Sequence, residues 1–185
     1  MSCIASGAHV AFPTPAGYRG EGVFDNFWKL VERWKVTFLI SVPTAISALM
    51  QRPVNADVST LRTAISGSAP LPLELYNRFK AATGVEIAEG YGLSETSPVA
   101  TANKSDLEAY TGTIGQPVPS TDIAIRDDDG RDVALGQPGE ICIRGPQVMA
   151  GYWNRPDETA KVMTSDGFFK SGDVGVMDER GHIRI

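Results

Sequence analysis

Cysteine is scarce in this 185-residue chain: Cys3 and Cys142 are the only two, far apart and without the CxxC or Cys/His spacing of a zinc site or redox pair. A reduced, cytoplasmic setting is the expectation. Positive charge is also short, with 17 Lys and Arg against 22 Asp and Glu and a net charge of -5. No basic run interrupts the chain, so nucleic acid is not an expected partner. The longest strongly apolar run, VTFLISVP at 36–43, is much too short to span a bilayer. The opening MSCIASGAHVAFPTP lacks a basic segment followed by a sustained apolar one, so it does not read as a signal peptide, and the expectation is a soluble protein. Histidine occurs twice, at His9 and His182, with no partner pattern that would make either a catalytic base. Internal repeats and low-complexity segments are absent. What remains is long enough to bury a real core and to be an enzyme.

The pattern along the chain is an alternation of helix and strand. FDNFWKLVERWK (24–35) spaces Phe24, Phe27, Trp28, Val31 and Trp34 as an amphipathic helix, with Asp25 as a plausible cap and both tryptophans as core. VTFLISV follows as a β-branched and aromatic run of the kind that makes a buried parallel strand, and TAISALMQ resumes helix. After the loop RPVNADVST, LRTAISGS reads as a short strand and PLELYNRFKAATG as a helix whose face carries Leu75, Tyr76 and Phe79 and whose stop is Gly84. VEIAEGYG is the next strand. This alternation implies an α/β layer on a mostly parallel sheet with flanking helices. Near residue 108 the pattern changes: Ile123 and Ile125 alternate before DDDG, Ile141 and Ile143 alternate in GEICIRG, and VMDERGHIRI repeats strand, turn and strand. These predict a small antiparallel, β-barrel-like unit. The expected division is 1–107 and 108–185, with the boundary around NKSDLEAY.

Four polar or glycine-rich stretches carry the candidate chemistry: SGSAPLP (66–72), EGYGLSET (89–96), RGPQVMAGYWNRPDET (144–159) and GFFKSGDVG (167–175). In open α/β sheets ligands gather at the carboxyl ends of strands, where the first two lie. Within EGYGLSET the glycines let a backbone approach a ligand, Tyr91 offers a flat face, and Ser94, Glu95 and Thr96 offer oxygens. That inventory suits a nucleotide with its metal ion. Taken singly, each stretch also reads as something ordinary: GSAP as a turn before a helix capped by Ser68, GYG as a loop, SGD as a β-turn.

Their order and spacing resemble the adenylate-forming (AMP-binding) acyl-CoA synthetase family, from VPTAISALM through SGSAPLP, EGYGLSET and GEICIRGPQVMAGYWNRPDET to DGFFKSGDVGVMDERGHIRI. The resemblance implies ATP-dependent activation of a carboxylic acid as an acyl-adenylate, followed by transfer to coenzyme A. It implies that Tyr91 stacks on adenine, with Gly90 and Gly92 letting the chain pass close to the nucleotide. Ser94 stands where the family usually has threonine beside the α-phosphate, and Glu95 takes the place of the Mg²⁺ ligand. The resemblance further implies that Gly67, Ser68, Ala69 and Pro70 line the purine and that Asp173 accepts from the ribose hydroxyls, a paired, charge-assisted contact. Val42, Pro43 and Thr44 lie where the family places part of the acyl pocket, although core packing accounts for Val42 equally well. Gly151, Tyr152 and Trp153 are expected to pack the β-unit.

The departures carry information too. The family's Ser/Thr/Gly-rich loop ending in Lys, which cradles the β- and γ-phosphates, does not occur in these 185 residues, nor does a hinge followed by a domain bearing the lysine that assists adenylation. The resemblance therefore implies an internal portion of the synthetase's large domain, whose partners are the remaining segments together with ATP, coenzyme A and a fatty or aryl acid. Two alternatives stay open: another adenylate-forming enzyme, such as a peptide-synthetase adenylation domain or a luciferase-like oxidase, and a non-catalytic nucleotide-binding or assembly module.

Overall fold

The computed structural model describes residues 5–104 and 110–185. Helix α1 (Val23–Trp34) leads into strand β1 (Phe38–Ser41), helix α2 (Pro43–Met50), strand β2 (Thr63–Ser66), helix α3 (Leu73–Thr83) and strand β3 (Ile87–Gly92). β1, β2 and β3 lie side by side and parallel, as the β-α-β alternation requires. The helices cover one face of this sheet. Trp28 and Val31 of α1, Ile46 and Leu49 of α2, and Tyr76 and Phe79 of α3 close over Leu39, Ala64 and Ile87. Gly84 ends α3 in a left-handed conformation with φ 74°, which a glycine adopts without strain.

Several local expectations are revised. The cap of α1 is Gly22, at φ 71°, whose carbonyl accepts from Asn26 Nδ2, while Asp25 instead pairs with Arg52 at 2.6 Å. Trp28 is core, but Trp34, the last residue of the helix, is 52% exposed, with its ring against His9 and Arg33 and not in the layer beneath. β1 is covered on one face only. Leu39 and Ser41 point to the helix-covered face and are buried, while Phe38 and Ile40 of the same apolar run point to the other face and are exposed.

From Gly90 onward β3 pairs antiparallel with β4 (Val99–Ala102), a strand of small residues with no strong alternation, and β4 pairs with β5 (Gln116–Pro117). The sheet is thus mixed, and β3 has a parallel neighbour on one side and an antiparallel one on the other. A second sheet, antiparallel throughout and curled as a half-barrel, contains β6 (Asp122–Arg126), β7 (Pro138–Arg144), β8 (Phe169–Met177) and β9 (Ile183–Arg184) in that order. Helix α4 (Pro156–Val162), which the sequence pattern did not suggest, stands between β7 and β8. Ile125, Ile141, Ile143, Phe169 and Ile183 form the second core together with Ala100 of β4, and Tyr91 and Leu93 pack against it. The end of β3 is therefore held against the half-barrel. The boundary expected at 103–110 falls mostly on 105–109, outside the described residues.

Candidate functional site

The SGSAPLP loop begins where β2 stops. Gly67 N–H donates to Ser41 O (3.3 Å), Ser68 turns the chain at φ 67°, and Leu71 N–H returns to the sheet by donating to Glu89 Oε1 at 2.8 Å. Tyr110 Oη fixes the same turn from outside by donating to Leu71 O at 2.7 Å. Helix α3 starts later, with Pro72 at its cap position, so Ser68 is a loop residue and not a helix cap. Ser68, Ala69 and Pro70 are exposed and Gly67 is half-buried. A Cβ on Gly67 would lie 3.3 Å from Gly90 O, so the two loops run flush against each other and a larger residue at 67 would press on β3.

Glu89 is 6% exposed, and burial raises its carboxyl above the ordinary carboxylate value, with the Leu71 amide only partly offsetting that rise. The folded state therefore holds its proton more tightly than the unfolded chain does. Glu89 favours the fold most below its ordinary value near ~4.3, and that contribution falls as pH rises through the raised one. Glu89→Gln, which keeps the acceptor for Leu71, is expected to flatten this fall. Urea melts from pH 4 to 7 would check it, and identical slopes for both proteins would refute it.

EGYGLSET continues β3. A register shift between Tyr91 and Gly92 bends the strand, and Gly92 admits no side chain because a Cβ would overlap Pro98 O. The three oxygen-bearing side chains then part company in a short 3₁₀ turn, Ser94–Thr96. Thr96 is fully buried, accepting from Leu93 N–H (2.9 Å) and donating to Pro98 O (2.6 Å), so it is a structural pin and not a ligand donor. Ser94 is exposed and Glu95 half-buried, both available to a ligand.

Tyr91 reaches across to the other sheet. Its hydroxyl donates to Asp173 Oδ2 at 2.6 Å, joining residues 82 apart in sequence. Burial, and next the hydrogen bond to Asp173, push the Tyr91 phenol far above its ordinary value, so it remains a donor throughout the usual pH range. Asp173 sits inside β8, so SGD is a kinked piece of strand and not a surface turn. Gly172 at φ 79° makes the kink, its N–H donating to Glu140 Oε1 at 3.0 Å. Asp173 N–H in turn donates to Ser171 Oγ at 3.1 Å.

Glu95 has a partner that sequence reasoning missed. Tyr152 Oη donates to Glu95 Oε1 at 2.8 Å, and Met149 N–H donates to Glu95 O at 2.8 Å. The expectation that Tyr152 and Trp153 pack the β-unit does not hold: Tyr152 is 37% and Trp153 89% exposed. The segment after β7 is drawn over the Ser94–Thr96 turn by those bonds, and of its apolar residues Val148 and Met149 pack on the second core. The only hint in sequence was an aromatic next to glycine in AGYWN.

Among the described residues no group of three or more His, Cys, Asp or Glu could enclose a metal ion. The donor set fits Mg²⁺ in the mode where one carboxylate, substrate phosphates and water share the ion. The nucleotide residues also fit their group: a flat half-buried ring, a small-residue loop beside it, and a carboxylate held at the ring's edge. A separate cavity of about 380 Å³ opens between α2 and α3, lined by Pro43, Thr44, Ser47, Pro72, Leu75 and Arg78 among others. It touches the end of the SGSAPLP loop at Pro72 and includes none of the nucleotide candidates. Val42 is 37% exposed and so is not core.

The family model described as AMP-binding enzyme matches residues 1–153. A long-chain-fatty-acid–CoA ligase of Yersinia pestis is 46% identical over 159 residues, which is 85% of this chain and 28% of that protein. Among solved structures, ATP-bound MatB from Rhodopseudomonas palustris superposes with a TM-score of 0.80 at 35% identity, covering 88% of this chain and 32% of its own. The anthranilate CoA ligase AuaEII in complex with anthranoyl-AMP superposes with a TM-score of 0.81 at 27% identity, covering 96% and 33%. The chain thus spans about three tenths of the length of the relatives it matches. With the profile covering most of its length and the motif order preserved on the fold, the chain belongs to the AMP-binding, adenylate-forming acyl-CoA synthetase family.

Proposed function

We propose that this chain is the adenosine- and metal-facing portion of an ATP-dependent acyl-CoA synthetase, divided into an α/β unit (1–107) and a half-barrel unit (108–185). The observation that carries the proposal is the 2.6 Å hydrogen bond between Tyr91 and Asp173. It sets a ring suited to stacking on adenine next to a carboxylate suited to the ribose, and the two come from different sheets. Tyr91 occupies one oxygen of Asp173 and leaves Oδ1 to accept from the sugar. Gly67, Ser68, Ala69 and Pro70 form the opposite wall for the purine, with Gly90 and Gly92 keeping the floor free of side chains. Ser94 and Glu95 face the α-phosphate side, where the Ser94 hydroxyl donates to phosphate oxygen and Glu95 holds Mg²⁺. The metal supplies charge neutralisation as negative charge builds on the phosphate.

The likeness to long-chain-fatty-acid ligases favours a fatty acid as the carboxylate substrate and coenzyme A as the acyl acceptor. Pro43 and Thr44, at the mouth of the α2–α3 cavity, are assigned to the acyl side. The phosphate-cradling loop and the lysine-bearing domain complete the site from other parts of the synthetase. No described helix is long and apolar enough to cross a membrane.

Asp173→Ala in the complete synthetase tests the central assignment. Hydrogen bonds to a charged group contribute roughly 1.5–3 kcal/mol each, and two sharing one carboxylate do not add fully. ATP affinity is expected to fall by about tenfold or more in calorimetry. An unchanged affinity would remove Asp173 from the ribose site.

A further inference from the structure

Tyr152 does no work in the function proposed above, yet its placement is tightly constrained. Its backbone N–H donates to Thr159 Oγ1 of α4 at 2.9 Å, and the same hydroxyl donates to Arg155 O at 2.9 Å. The preceding Gly151 passes so close to the helix that a Cβ would lie 2.8 Å from Thr159 Cγ2. The turn is therefore seated on α4 before the side chain begins. At its far end the segment is fastened to the candidate metal residue twice, through Met149 N–H to Glu95 O and through the phenol to Glu95 Oε1. A ring that only covered apolar surface would need no such anchoring, and Tyr152 leaves 37% of its surface to solvent.

We propose that Tyr152 is a positioning residue that fixes the Glu95 carboxylate in a one-oxygen, metal-presenting orientation. The inference rests on the reading of Glu95 as the Mg²⁺ ligand. Among the described residues the phenol is the only hydrogen-bond partner of the carboxylate, which leaves Oε2 for the ion. Mg²⁺ demands near-octahedral geometry and accepts a carboxylate best through one oxygen, so a donor that occupies the other disfavours two-oxygen chelation and free rotation. Positioning of a metal ligand by an outer partner is commonly worth 10–100-fold in affinity, and the solvent exposure of this pair reduces that to about threefold to tenfold.

The test uses the complete synthetase and its Tyr152→Phe and Glu95→Gln variants. Mn²⁺ binding at a fixed concentration of a non-hydrolysable ATP analogue is followed by water-proton relaxation, and the Mg²⁺ dependence of pyrophosphate exchange is measured in parallel. Tyr152→Phe is expected to raise the metal concentration for half-saturation about threefold to tenfold in both, with the lost rate recovered at high Mg²⁺ and metal-free AMP affinity unchanged. Wild-type metal binding in Tyr152→Phe, with a clear loss in Glu95→Gln, would overturn the role of Tyr152 and leave Glu95 in place. Wild-type binding in both would overturn Glu95 as the ligand, and the inference with it. If Tyr152→Phe is too unstable to titrate, Thr159→Val decides, since it unfastens the turn and keeps the phenol. A weaker metal response in that variant supports the proposal, and an unchanged one refutes it.

Discussion

Purified by itself, the 185-residue chain is expected to release no measurable pyrophosphate from ATP and Mg²⁺ with any of a panel of fatty and aryl acids. Adenylation needs the triphosphate held in line with the attacking carboxylate, and positioning with charge stabilisation supplies most of the acceleration in phosphoryl-type chemistry. The chain offers Tyr91 to the base, Asp173 to the sugar, and Ser94 and Glu95 to the phosphate side. It contains no lysine-ended loop to grip the leaving pyrophosphate. Groups that act as a unit fail together, so the remaining ones do not sustain a fraction of the rate in proportion to their number. Turnover comparable to a complete synthetase would mean that the phosphate grip lies within these residues and has been misplaced.

In the complete synthetase, Glu95→Gln is expected to lower the adenylation rate on the order of 100-fold with the fold intact, the scale seen when one preorganised charge-stabilising group is removed. Glutamine retains the oxygen that accepts from Tyr152, and the Met149 bond to the backbone of residue 95 is untouched, so the turn persists. What disappears is the negative charge that a hard cation requires. Pyrophosphate exchange measured across a range of Mg²⁺ concentrations checks this. A variant with the original rate and the original Mg²⁺ response would exclude Glu95 as the metal ligand.

The parallel half of the first sheet was legible because its signals are local. Apolar spacing marks α1 and α3, Gly84 stops α3, and small residues end β2 and β3 where the loops begin. The hairpins of the half-barrel were equally plain, from isoleucines alternating on either side of DDDG and from the strand, turn and strand pattern of VMDERGHIRI. What escaped depends on partners distant in sequence. β4 is made of VATA, whose small residues alternate too weakly to announce a strand, and it exists because β3 offers it an edge. The cover of β1 could not be judged from VTFLISV, since a run apolar on both sides does not say which side a neighbour reaches. Tyr152 meets Glu95 from 57 residues away, so in sequence it looked like packing. Thr96, equal on paper to Ser94 as an oxygen donor, faces inward in the 3₁₀ turn, where it bonds Leu93 and Pro98, which no local pattern reveals. The roles given to Tyr91, Glu95 and Asp173 came from motif order, and the structure adds the 2.6 Å bond that brings two of them together.

That bond also bears on how the molecule assembles. A ring and a carboxylate 82 positions apart, on separate sheets, cannot form a cradle until both cores have condensed and docked. A nucleotide gripping both would recognise only the docked form, and by mass action would add about 2.7 kcal/mol to it at a hundred times its dissociation constant. With the sheets latched by a shared guest, the two cores would melt as one cooperative unit, and the adenosine would act as a further tether between the two halves.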